Sequence, residues 1–282
     1  MEIIRIPRIA QDTCRKHLIK GRAIGFVPTM GALHEGHLSL IRRSRAENDI
    51  IAGSIFVNPM QFGPSEDFDE YPRDFGNDIR KMRDEKVDIL FVPDRSVIYP
   101  GKFSTYINIG ELSEKLCGRF RPGHFIGVAT VISKLFNIIN PTRAYFGQKD
   151  FQQTVTIRKM VKDLNFSIDV VVCPTVREHD GLAMSSRNAY LNEEQRKAAP
   201  AVYKCLAKAS DMIKSGIINP AQAKELMLKA ISEEALITDT DYASTYDPET
   251  LDEITEIHGD VLLAVAVQVG TTRLIDNVLI NM

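Results

Sequence analysis

The chain has 282 residues, 44% hydrophobic and 26% charged, with a formal net charge of -2, which suits one large domain or two ordinary ones and excludes a disordered chain. A near-neutral balance without a basic stripe argues against a nucleic-acid partner. Four scattered cysteines without a C-x-x-C pair, no signal-like N-terminus and no apolar run of transmembrane length point to a cytoplasmic protein with reduced thiols and no membrane partner.

In chain order, hydrophobic periodicity predicts a helix over 8–19, a strand over 23–28, a helix over 36–48 and a strand over 50–57. A helix over 72–85 and strands over 87–92 and 105–109 follow. Next come a helix over 124–139, a strand over 143–147, a helix over 150–164 and a strand over 167–172. Apolar runs alternating with longer amphipathic segments imply an α/β fold, a Rossmann-like parallel sheet with helices on both faces. After about Pro174 the texture changes. A polar segment, 177–192, leads to helices over 193–215 and 220–236 and to strands near 240–246, 260–269 and 272–280. That reads as a smaller C-terminal α+β domain, so the expected division is 1–175 and 176–282.

Residues 26–41 read FVPTMGALHEGHLSLI, a strand, a Gly-containing turn and a helix start carrying His34 and His37. Three-residue spacing puts both imidazoles on one side of the first helical turn, beside its unbonded N–H groups and positive dipole end. Such a corner suits an anion whose charge grows during reaction, above all a nucleotide phosphate. Gly31 and Gly36 clear side chains where a ligand must touch backbone. A zinc site fits less well, because helical zinc motifs space histidines four apart and no cysteine lies nearby.

Three more loops stand at or after strand ends. In FVNPMQF, Asn58 and Gln61 offer neutral, two-sided amides suited to the hydroxyls of a small polyol acid. In YFGQKDFQQ, Lys149 is a cation for phosphate, Asp150 is a candidate N-cap, and Gln153 lies a turn further on. In LAMSSRN, Ser185, Ser186 and Arg187 form a multi-donor phosphate grip at the proposed domain junction. The segment Arg119 to Phe125, with Arg121 and His124, reads either as lining of the cleft or, at least as readily, as an exposed turn before a long apolar helix.

With these motifs in this order, the chain resembles the nucleotidylyltransferase superfamily that includes class I aminoacyl-tRNA synthetases. More narrowly, PTMGALHEGHLSLI, FVNPMQF, YFGQKDFQQ and MSSRN resemble the pantoate–β-alanine ligase (pantothenate synthetase) family, from about Phe26 to Asn192. The resemblance implies ATP-driven condensation of (R)-pantoate with β-alanine through a pantoyl adenylate, releasing pyrophosphate and AMP. It places His37 at the family's catalytic histidine, with His34, Lys149, Ser185, Ser186 and Arg187 as further phosphate-side donors. It implies ATP contacts at Met30, Gly31, Ala32, Leu33, His34, Glu35, Gly36 and His37. Others fall at Gly147, Gln148, Lys149 and Asp150, at Val176, and at Met184, Ser185, Ser186 and Arg187. Gln61 and Gln153 match the pantoate-binding glutamines, joined by Asn58 and Met30, with Gln61 also near β-alanine. Mg²⁺ and a homodimer are implied as well; the magnesium ligands are not assigned, Asp88 being one candidate.

The superfamily's K-M-S-K-S loop appears here as Ala183-Met184-Ser185-Ser186-Arg187, without the first lysine, which argues against a tRNA synthetase. Another nucleotidylyltransferase of the H-x-G-H superfamily remains the alternative. Its phosphate-bearing acceptor would call for Arg or Lys where this chain has Asn58, Gln61 and Gln153. A nucleotide-sensing module would not need donors retained at every loop.

Overall fold

The computed structural model describes residues 1–64, 66–216 and 219–282. They gather into two compact units. The first comprises 1–113, 121–147 and 156–174; the second comprises 114–120, 148–155 and 175–282.

The first unit opens with β1 (Glu2–Ile4), α1 (Pro7–Ile19), β2 (Ile24–Thr29), α2 (Glu35–Glu47) and β3 (Ile50–Ile55). It continues with α3 (Phe75–Asp84), β4 (Ile89–Phe91) and the short α4 (Arg95–Ile98). After α5 (Cys117–Phe120), which belongs to the second unit, come α6 (His124–Ile139) and β5 (Arg143–Gly147). The division between units then falls inside α7 (Phe151–Asp163), which precedes β6 (Asp169–Cys173). All six strands run parallel in the order β1-β4-β3-β2-β5-β6.

Alternation along each strand feeds two cores. Ile24 and Phe26 of β2, Ile50 and Ala52 of β3 and Ile89 and Phe91 of β4 pack with residues of α1 and α6. Val27, Ile51 and Leu90 point the other way, to Leu40 and Ile41 of α2 and Met82 of α3. Both sheet faces are therefore covered, as near-continuous apolar strands require. The chain works outward from β2 through β3 and β4 on one side and from β5 to β6 on the other. Ligands bind at the strand carboxyl ends beside such a reversal.

Two sequence expectations change here. Residues 105–109 form no strand: Tyr106 is 53% exposed, and the Ile107 N–H bonds the Thr130 hydroxyl (3.0 Å) instead of a neighbouring strand. The sixth strand is instead β1, three residues long and paired with β4 at the sheet edge.

In the second unit, α8 (Glu193–Ala198), α9 (Ala201–Lys214) and α10 (Pro220–Ser232) precede β7 (Ile237–Tyr246), β8 (Val261–Val269) and β9 (Thr272–Ile280). The strand predictions hold; the single helix expected over 193–215 is broken at Ala199-Pro200, where proline supplies no N–H to the helical ladder. β8 is the central strand of the antiparallel sheet, and Val261, Leu263, Val265, Val267 and Val269 line its helix-facing side. That side packs on Val202, Leu206 and Ile213 of α9 and on Met227 and Ile231 of α10.

Candidate active site

The turn after β2 is held on its main chain. Gly31 and Ala32 have φ of +86° and +50°, a conformation an L-residue adopts only under constraint. The constraint is Asp78 of α3, 2% exposed, whose carboxylate accepts the N–H groups of Ala32 (2.9 Å) and Leu33 (2.8 Å). Lys81, one helical turn on, donates to the Leu33 carbonyl (2.5 Å). A side chain at position 31 would meet the Asp78 carboxylate at 2.9 Å, so glycine is required twice over.

This turn delivers His34 as the extended residue before α2. The His34 N–H donates to Nδ1 of His37 (3.3 Å), and the two rings lie 4.1 Å apart between centroids. Because Nδ1 accepts, a neutral His37 carries its proton on Nε2 and presents a donor there. Glu35 spends its carboxylate on Arg42, which also binds Glu85, so what Glu35 and Gly36 bring to the helix start is backbone.

The turn after β3 touches the turn after β2: Gln61 Nε2 lies 3.0 Å from Met30 Sδ. Asn58 is 1% exposed and its amide is committed inside the protein. It donates to Gln61 Oε1 (3.0 Å) and the Gly127 carbonyl (3.1 Å), and accepts from Tyr99 (2.7 Å) and the Met60 N–H (3.3 Å). Asn58 thereby fixes which end of the Gln61 amide is offered outward. Tyr99 is shifted upward by its burial, which keeps its hydroxyl a donor. Met30 to His37, Asn58 and Gln61 are thus brought together in the first unit, where Gly147 closes β5.

In the second unit, Asn277 of β9 donates to the carbonyls of Gln148 (3.0 Å) and Lys149 (2.9 Å), fixing the turn that opens α7. Gln153 follows on the first turn of α7. Val176 accepts the Met184 N–H (3.0 Å), so these two candidate nucleotide contacts adjoin. Ser185 caps the 3-10 turn Ser186–Tyr190, its hydroxyl accepting the Arg187 N–H (3.3 Å). Arg196 ties the approach to this loop through Glu178 and Asp180 (2.6 Å each). Lys149 and Ser185 line one small cavity of about 10 Å³, room for about one water. Asp150 leaves its side chain half exposed, 4.0 Å from Lys149.

Asp88 does not suit a metal: its carboxylate binds Arg45 (2.7 Å) and the Ile51 N–H (2.8 Å). Among the described residues no cluster of three His, Cys, Asp or Glu could hold one. Asp78 and Asn277 escape sequence reasoning, which leaves Arg121 and His124 between cleft lining and an exposed turn. Arg121 and His124 both bind the Gln61 carbonyl (3.2 and 2.7 Å). Asp78 and Asn277 carried no signal in the sequence, because each works on main-chain atoms far away in the chain.

A parallel sheet with an H-x-G-H turn at its carboxyl edge defines an α/β enzyme of the nucleotidyl-transfer type. The chain also matches the protein-family model for pantoate–β-alanine ligase over residues 2–279. It is 54% identical over 281 residues to the pantothenate synthetase of Thermodesulfovibrio yellowstonii, covering all of both chains. It superposes with a TM-score of 0.94 on the crystal structure of pantothenate synthetase from Thermus thermophilus, at 41% identity and 99% coverage of each chain. The pantoate–β-alanine ligase of Francisella tularensis, complexed with β-γ ATP and β-alanine, matches with a TM-score of 0.81. Its identity is 35%, over 99% of this chain and 97% of that one. The chain belongs to the pantoate–β-alanine ligase family, and its reaction is the joining of pantoate to β-alanine.

Proposed function

We propose that the chain drives this ligation with ATP through a pantoyl-adenylate intermediate. A carboxylate oxygen of pantoate attacks the α-phosphorus, the bond to the β-phosphate oxygen breaks, and pyrophosphate leaves. The β-alanine amine then attacks the acyl carbon; AMP departs as the amide forms. The observation that carries this reading is the H-x-G-H turn. Main-chain bonds to a buried carboxylate set its strained backbone, and Nδ1 of His37 accepts the His34 N–H, which puts the proton of a neutral ring on Nε2.

In this reading His34 and His37 donate to the phosphates as negative charge develops, the kind of bond that strengthens in the transition state. Lys149, Ser185, Ser186 and Arg187 supply further phosphate donors, with backbone contacts from Met30 to Gly36, Gly147 to Asp150, Val176 and Met184. Gln61 and Gln153 bind pantoate, Met30 borders it, and Asn58 acts by orienting Gln61. Gln61 also meets β-alanine. The attacking groups belong to the substrates, so no side chain acts as covalent nucleophile.

The donor set consists of cations and neutral groups, which fits phosphate and not metal. Mg²⁺ would therefore be held by the phosphates of ATP, where it would neutralise charge on the leaving pyrophosphate. A homodimer in the cytoplasm completes the proposal. No helix among the described residues is long and apolar enough to cross a membrane.

Product analysis tests the route. Incubation with ATP, pantoate and β-alanine is expected to give AMP, pyrophosphate and pantothenate in equal amounts. ADP with inorganic phosphate would mean an acyl phosphate and would overturn the adenylate.

A further inference from the structure

Two side chains converge on one carbonyl of the first unit, and a third orients one of them. The Gln61 carbonyl receives His124 (Nδ1, 2.7 Å) and Arg121 (Nη2, 3.2 Å). A carbonyl only accepts, so His124 carries its proton on Nδ1. Arg121 Nη1 lies 3.2 Å from the other ring nitrogen, and a guanidinium only donates, so Nε2 accepts and the ring is neutral. Glu66 orients Arg121 through two bonds (2.8 and 2.5 Å). Burial pushes the Glu66 carboxyl upward, but the hydrogen bonds and charge of Arg121 outweigh it and hold it below the usual carboxylate range. Every donor and acceptor in the chain Glu66–Arg121–His124–Gln61 thus has an assigned direction.

The same turn is gripped from α6 at two more points. Asn58 spans Gly127 and Gln61, and a Cβ at Gly127 would lie 2.3 Å from the Met60 carbonyl oxygen. With its carbonyl and Oε1 both engaged and one N–H of Nε2 donated to Met30 Sδ (3.0 Å), Gln61 offers a ligand the second N–H of Nε2. Holding one main-chain carbonyl could be done by a single water. A charged pair with side chains only 13% and 22% exposed, spent together with an imidazole on that one atom, indicates that the setting of this residue matters.

We propose that His124, fixed by the Arg121–Glu66 pair, is a positioning residue that sets Gln61 and thereby the affinity for the hydroxy acid without touching it. This rests on the reading that Gln61 binds pantoate. The test is calorimetric titration of pantoate and, separately, of ATP into His124→Ala, Gln61→Ala and the double variant. His124→Ala is expected to weaken pantoate binding about ten-fold, the effect of one lost hydrogen bond of this kind, with ATP affinity and Tm unchanged. His124→Asn, whose amide can donate to the same carbonyl, should recover most of the loss. In the Gln61→Ala background, His124→Ala should add nothing.

If Gln61→Ala weakens pantoate binding but His124→Ala does not, or if the two losses add, the positioning role is wrong while the pocket assignment stands. Unchanged pantoate affinity in Gln61→Ala instead sinks the underlying reading. Should His124→Ala fail to fold, Glu66→Gln loosens Arg121 from the surface side and must show the same selective loss of pantoate affinity.

Discussion

The turn at residues 30–34 and the loop at 185–187 are both assigned to phosphate, yet they are built in opposite ways. The first is fixed by a nearly inaccessible carboxylate bonded to two main-chain N–H groups, with left-handed backbone at Gly31 and Ala32. The second is capped by one serine hydroxyl, and its approach is tied by a guanidinium whose side chain is 27% exposed. Buried charge-assisted bonds over-determine a geometry; half-exposed ion pairs do little more than bias one. A preorganised corner suits the atoms where charge develops, and a loop approached through partly exposed ion pairs suits groups that engage after the nucleotide arrives.

The sharpest way to break this contrast is at the histidines. His37→Ala should fold normally and lose adenylation by about 10²–10³-fold, the effect of removing one preorganised donor. Pyrophosphate release in the presence of pantoate reads it. Wild-type release by a folded variant would remove His37 from the chemistry.

The supports differ next. Asp78→Asn replaces one acceptor oxygen by an N–H donor facing the main chain, and should destabilise the protein by about 2–3 kcal/mol while lowering adenylation. Arg196→Gln removes two partly exposed ion pairs and should change stability by less than about 1 kcal/mol. Denaturant melts of the two variants compare them directly. Equal losses would mean that the turn and the loop are held alike.

Ligand binding sharpens the division of labour. Gln61→Ala should weaken pantoate by about 1–3 kcal/mol with ATP affinity nearly unchanged, and Arg187→Ala should show the reverse bias. Loss of ATP binding in Gln61→Ala with pantoate untouched would exchange the two assignments.

The fold was legible where burial imposes a period. β2, β3 and β5 announce themselves because a strand covered on both faces is apolar throughout. β1 escaped notice because Glu2–Ile4 is three residues at a sheet edge. The run 105–109 looked like a strand because Tyr106, Ile107 and Ile109 are β-prone residues, but pairing is decided by neighbours, and Ile107 has a threonine hydroxyl as partner. In the candidate site the donors were legible as a pattern, since histidines, glycines and serines in loops after strands suit a ligand corner. Its supports were not: Asp78 reads as an ordinary helical carboxylate and Asn277 as an ordinary strand amide. Their work is done on main-chain atoms forty-five and more positions away.

The smallest effect concerns acid. Glu66 has a folded-state value below its ordinary 4.5, so the Arg121–Glu66 pair stabilises the fold fully above that value. The contribution is lost as pH falls through the lowered one. The Tm difference between the wild type and Glu66→Gln should be constant at neutral pH and close as the pH falls below the ordinary 4.5. A difference independent of pH would show that Glu66 acts by packing alone.

The two-step route itself is tested most directly by positional isotope exchange in ATP. With enzyme, Mg²⁺, ATP and pantoate but no β-alanine, reversible adenylation should scramble label between the bridge and non-bridge positions. Omitting pantoate should abolish the exchange. Scrambling that requires β-alanine, or that proceeds without pantoate, would contradict a pantoyl adenylate formed before the amine enters.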